Sequence, residues 1–140
     1  MKYLTLIFAL ISIQTVLSAQ EKYLVFGKGG GVAGMANVYK VYLNGEVQKG
    51  SGMVELNYLQ HSKIKKSAAK KMFCRISKLE ITSFNHPGNM YYFIVFFEND
   101  KAIKYTWGAA DFKAPEELTG LYNDAVSQLS KLDYNTNTNN

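Results

Sequence analysis

The chain has 140 residues, a formal charge of +5, an aromatic share of 14% and a single cysteine. That length suits one domain with one core, and the lone Cys74 excludes an intramolecular disulfide, so packing of the many Tyr and Phe side chains must supply the stability. Only His61 and His86 offer imidazole, and neither has a partner at a ligand spacing such as H-E-x-x-H, so no metal site, cofactor or catalytic centre is expected.

Residues 1–19 read as a signal peptide. Met1-Lys2 is a short positive start, residues 3–11 are apolar, and Val16-Leu17-Ser18-Ala19 supplies small residues for cleavage before Gln20. A membrane-spanning helix needs roughly 20 apolar residues, and Gln14 and Thr15 interrupt this run early. The expectation is a secreted or periplasmic domain over 20–132, with residues 133–140, rich in Asn and Thr, as a disordered tail.

Tyr23 to Phe26 reads as a short strand, followed by glycines and a second strand from Met35 to Leu43. Asn44-Gly45 favours a two-residue hairpin turn in which both residues take positive φ. The returning strand is Glu46 to Lys49, with Gly50-Ser51-Gly52 as a break. Val54, Leu56 and Tyr58 alternate with Glu55 and Asn57 as a further short strand. From Lys63 to Leu79 the period changes: Ala68, Ala69, Met72, Phe73, Ile76 and Leu79 share one helical arc and lysines fill the other. Ile81 to Phe84 leads into a Pro87-Gly88 turn. Met90 to Phe97 and Lys101 to Trp107 form an aromatic hairpin turned at Glu98-Asn99-Asp100. Pro115 suits the first position of a last helix, Glu116 and Glu117 favour its positive end, and Leu118, Leu121, Tyr122, Ala125, Leu129 and Leu132 form its stripe. These elements predict an α+β domain: an antiparallel sheet of about five strands with two helices on one face.

The stretch from Gly27 to Gly34 contains G-x-G-x-x-G at Gly29, Gly31 and Gly34. A dinucleotide turn would need a helix opening at the loop, whose free amides hold the pyrophosphate. The residues after Gly34 have strand composition instead, and Met35 stands where a P-loop would place its lysine. A nucleotide-binding protein is therefore the weakest alternative. The glycines are better explained as a wide connection between antiparallel strands, or as a projecting loop whose backbone meets a partner.

Gly30-Gly31-Val32-Ala33-Gly34, followed by a strand, a helix, an aromatic hairpin and a terminal helix, resembles the emfourin family. Emfourins are small protein inhibitors of thermolysin-type zinc metalloproteases with a Gly-Gly-Phe-Ala-Gly-like stretch near the amino terminus. Val32 departs from the usual aromatic, and the signal peptide is not a general feature of those inhibitors. The resemblance implies a protein partner, a secreted protease, met by Gly29, Gly30, Gly31, Val32 and Gly34. Replacing Gly30 and Gly31 by Val is then expected to weaken binding and leave the fold intact. Pro87 to Tyr92 and Thr106-Trp107-Gly108 also resemble a family of small secreted bacterial proteins that carries no assigned activity.

Other features carry competing expectations. The aromatic strand is apolar on both faces, so a second cover or an exposed patch is required. Trp107, at its hairpin's end, is expected as an exposed anchor, since Trp is enriched at binding hot spots. The first helix concentrates Lys63, Lys65, Lys66, Lys70, Lys71, Arg75 and Lys78 with no acid between them. Lys66, Lys70, Lys71 and Lys78 form a basic surface for an anionic cell-surface polymer or an acidic protein, or simply a solvated face. Nucleic acid is not the expected partner, because exposed aromatics do not interleave with these lysines. Cys74 lies among them and is a candidate for an intermolecular disulfide, which would make a monomer into an oxidised dimer. The sequence thus points to a non-catalytic binding module, inhibitor-like through the glycine loop or anion-binding through the lysine helix.

Overall fold

The structure is a computed structural model that describes residues 21–53 and 55–136. The expected signal peptide, Val54 of an expected strand and residues 137–140 of the expected tail lie outside the described residues. The elements are β1 (Tyr23–Gly30), β2 (Met35–Tyr42), β3 (Glu46–Gly52), β4 (Asn57–Lys63), α1 (Lys66–Ser77), β5 (Phe84–His86), β6 (Met90–Glu98), β7 (Lys101–Trp107), α2 (Glu116–Leu129) and β8 (Asn135–Thr136).

The class is α+β, but the sheet differs from the expectation. It has eight strands in the order β5-β7-β6-β1-β2-β3-β4-β8, and it is mixed, because β5 runs parallel to β7. The added strands are β5 and β8, three and two residues long, and pairings so short leave no periodicity in a sequence. Two other boundaries move. Gly50-Ser51-Gly52 is not a break but the end of β3, paired with Val38, Asn37 and Ala36 across the ladder. The following strand consequently starts at Asn57, after a bulge between Lys49 and Gly50. The expected tail begins as structure: Tyr134 packs against the core, its hydroxyl donates to the Leu129 carbonyl at 2.8 Å, and β8 pairs with β4.

The two turns exchange roles. Asn44-Gly45 belongs to a three-residue connection, with Gly45 alone at positive φ (+96°) and Asn44 Oδ1 accepting the Glu46 amide at 2.9 Å. The two-residue turn with both residues left-handed is instead Asn99-Asp100, at φ 54° and 59°, the geometry that matches strand twist.

Both helices cover one face of the sheet, burying the stripes read from the sequence. Ala69, Met72, Phe73 and Ile76 of α1 and Leu118, Leu121, Tyr122, Ala125 and Leu129 of α2 are buried. They meet Leu24, Phe26, Val41, Ile94, Phe96 and Tyr105 of the sheet. Between the helices, Arg75 donates to Asp124 at 2.7 Å.

β1 runs at the centre, paired along its whole length with β2 and with β6. Its glycines make room on the face away from the helices. A Cβ on Gly27 would overlap the ring of Phe93, and one on Gly29 would lie 2.8 Å from Tyr91. The rings of β6 therefore lie across β1 where β1 has no side chains. Gly27→Ala should displace the buried Phe93 ring and cost about 1–3 kcal/mol. Gly34→Ala meets nothing within 4 Å and bears only its φ of +60°, which costs about 1 kcal/mol. Urea denaturation of both variants checks this order; equal losses would mean that the ring is not seated on Gly27.

Candidate functional site

The glycine stretch divides into a stem and a tip. Gly27, Gly29 and Gly30 belong to β1, and only Gly31 to Gly34 form the connection to β2. A tight turn closes the tip, with the Gly34 amide donating to the Gly31 carbonyl at 3.1 Å. The Gly31 amide donates to the Asn89 carbonyl at 2.9 Å, which ties the tip to the segment before β6. A strand, not a helix, follows the glycines, so the loop does not open a helix as a dinucleotide turn would.

The tip projects. Val32 is exposed at 111%, as fully as a side chain can be, and Met35 and Met90 are exposed at 41% and 43%. Both methionines are register partners of Gly30, one on each side. Met90 also reaches Gly31, where a Cβ would lie 3.2 Å from its sulfur. Exposed Val32 and the part-exposed Met35 and Met90, the last from the adjoining start of β6, thus lie at one end of the sheet. Nothing in the sequence groups Met35 with Met90. Each reads as a strand-end residue, and only the register of β1 with both neighbours brings them together.

Gly30 plays a different part from the one expected of it. Its φ is +100°, and a Cβ there would overlap the Asn89 carbonyl. Gly30→Val therefore strains the backbone at the junction of three strands and does not report on binding alone.

Trp107 is not an exposed anchor. It is 8% exposed, because the pairing Tyr92↔Trp107 places it on the helix-covered face. There its ring stands 5.2 Å from Tyr122 of α2 and 6.1 Å from Tyr92, and Tyr92 and Tyr122 meet edge to face at 5.5 Å. The alternation through Tyr105 and Trp107 is visible in sequence, but which side the helices take is not.

Lys66, Lys70, Lys71 and Lys78 are all exposed. Among the described residues none of them has a carboxylate in salt-bridge range. Cys74 is exposed on the same helix. His86 is stacked on Phe112 at 3.7 Å and stands edge-on to Phe84, while His61 lies in β4. Among the described residues no three His, Cys, Asp or Glu side chains converge as metal ligands would. None of the described helices is long and apolar enough to cross a membrane.

No protein-family model matches this chain, and no curated protein is significantly similar to it.

The aromatic cluster beneath α2 has a titration signature. Burial, then the neighbouring hydroxyls of Tyr92 and Tyr39, push the Tyr122 hydroxyl up from 10.0 to about 12. A raised folded-state value means the stabilisation is whole below pH 10 and is lost as pH climbs through 12, since the unfolded chain releases the proton first. The loss is on the order of 2 kcal/mol for this one group. Thermal unfolding followed from pH 9 to pH 12 should show the decline, less steep in Tyr122→Phe. An identical slope in both proteins would remove Tyr122 from this account.

Proposed function

We propose that this domain is a secreted, non-catalytic protein-binding module that engages its partner with the end of the β1–β2 hairpin. The observation that supports this best is the exposed group of Val32, Met35 and Met90 at the tip. Apolar side chains gathered at a projecting end mark recognition surfaces, and methionine adapts to varied partner shapes. The stem is held on both sides by β2 and β6, so little ordering entropy opposes docking. The emfourin resemblance makes a thermolysin-type zinc metalloprotease the first partner to test, with the tip filling its cleft as an inhibitor would.

A second reading rests on α1. Its exposed, unpaired lysines suit an anionic polymer or an acidic protein surface. Binding of that kind weakens steeply as salt rises, whereas an apolar tip in a cleft is far less sensitive. Exposed Cys74 would let this helix pair with a second copy on oxidation, which a non-reducing gel of secreted protein reads directly: monomer alone would exclude it.

The deciding experiment is titration of residues 20–140 against such a protease, following peptide cleavage at two salt concentrations. The expected result is stoichiometric, salt-tolerant inhibition. Val32→Asp should weaken it at least tenfold, about 1.4 kcal/mol, for burial of a charge in the contact, with an unchanged circular dichroism spectrum. Equal inhibition by Val32→Asp would remove the hairpin tip from the contact. No inhibition, with salt-sensitive retention on a sulfated polymer that Lys70→Glu abolishes, would move the function to the helix.

A further inference from the structure

The helix-free face of the sheet carries a second, separate feature. A groove of about 430 Å³ opens there, within the range of small-molecule sites. Its floor is the buried Val25 and Phe93 with half-buried Val95, and Met53 and Leu56, both exposed, form a lip above it. Neither described helix covers this side; among the described residues the apolar cluster around Val25, Val38 and Phe93 contains strand residues only.

The charges are arranged by register. Lys40 pairs with Val25, Val25 with Val95, and Val95 with Lys104, so the four residues form one row across β2, β1, β6 and β7. Side chains in one such row share a face. Two ammonium groups therefore flank a floor that is two strands wide and apolar. Both lean inward over rings: Lys40 Nζ lies 3.9 Å from the Tyr23 centroid and Lys104 Nζ lies 5.0 Å from that of Phe93. Lys40 is paired with Glu21 at 3.3 Å. Lys104 has no carboxylate in range among the described residues, and no acidic residue lines the groove.

We propose that this groove binds a small amphipathic anion, with an apolar ring system over Val25 and Val95 and its acidic group on Lys104. The charge pattern selects this occupant. A neutral ligand would leave Lys104 without a counter-charge, and a cation would meet the uncompensated ammonium of Lys104 beside a low-dielectric floor. The site is distinct from the hairpin tip and does not depend on it.

Anilinonaphthalene sulfonate is a suitable probe, because it joins an aromatic body to one anionic group and its fluorescence rises on burial. Phenyl naphthylamine, nearly the same ring system without the sulfonate, is the neutral control. Folded protein should bind the sulfonate at one saturable site. Lys104→Met keeps the apolar stem, and Lys104 is exposed, so the variant should fold. It should weaken the sulfonate about tenfold, the usual value of a charge-assisted contact. It should leave the neutral probe unchanged, and the neutral probe should bind the wild type about as weakly as the sulfonate binds the variant. Absence of saturable binding, equal affinity of the two probes, or a Lys104→Met variant that binds the sulfonate as well as the wild type would each overturn the proposal. Val32→Asp should not alter probe binding, which keeps this outcome separate from that of the hairpin.

Discussion

The seam between β1 and β6 is the constraint on which the rest of the structure depends. The amino-terminal strands β1 to β4 form one antiparallel meander, and β6 with β7 forms another. Eight residue pairs, from Tyr23↔Phe97 to Gly30↔Met90, join them. Nearly all of β6 is aromatic or aliphatic, and one of its faces must lie somewhere other than beneath the helices. Missing Cβ atoms on Gly27 and Gly29 solve this, because Phe93 and Tyr91 can lie flat across the neighbouring strand. Bulkier residues on β1 would hold those rings away and open the seam.

The same seam stiffens the hairpin. Because β1 is paired on both edges as far as Gly30, the connection to β2 is only four residues long and is bonded at its base to Asn89. Apolar side chains at its end are consequently displayed on a rigid stem, and rigid display is what lowers the entropy cost of recognition. Around the seam the two faces of the sheet take different roles. One is sealed by α1 and α2 and absorbs Trp107; the other is covered by neither described helix and has lysines at the edges of an apolar floor.

Much of this was legible in the sequence. Period-3.6 stripes placed both helices, with Ala69, Met72, Phe73 and Ile76 buried as the arc requires, and the Val and Tyr content marked β2. Failures fell where a residue's surroundings come from distant chain. Trp107 looks exposed from sequence because strand alternation does not tell which face the helices cover. No local pattern joins Met35 to Met90, which are 55 positions apart and share only the register partner Gly30. Asn44-Gly45 carries a strong two-residue signal, yet bonding of Ile64 to the Gly45 carbonyl and of the Glu46 amide to Asn44 fits a longer turn.

Local sequence pattern suffices for the α+β class, the two amphipathic helices, the basic face of α1 and the strand after the glycines that argues against a nucleotide turn. Those features depend on local period and on composition, which every window of the chain carries. The eight-stranded mixed sheet, the burial of Trp107, the apolar tip and the row from Lys40 to Lys104 emerge only in the folded chain. Each of those depends on register between strands far apart in the chain, and shifting a register by one residue would turn every side chain concerned to the opposite face.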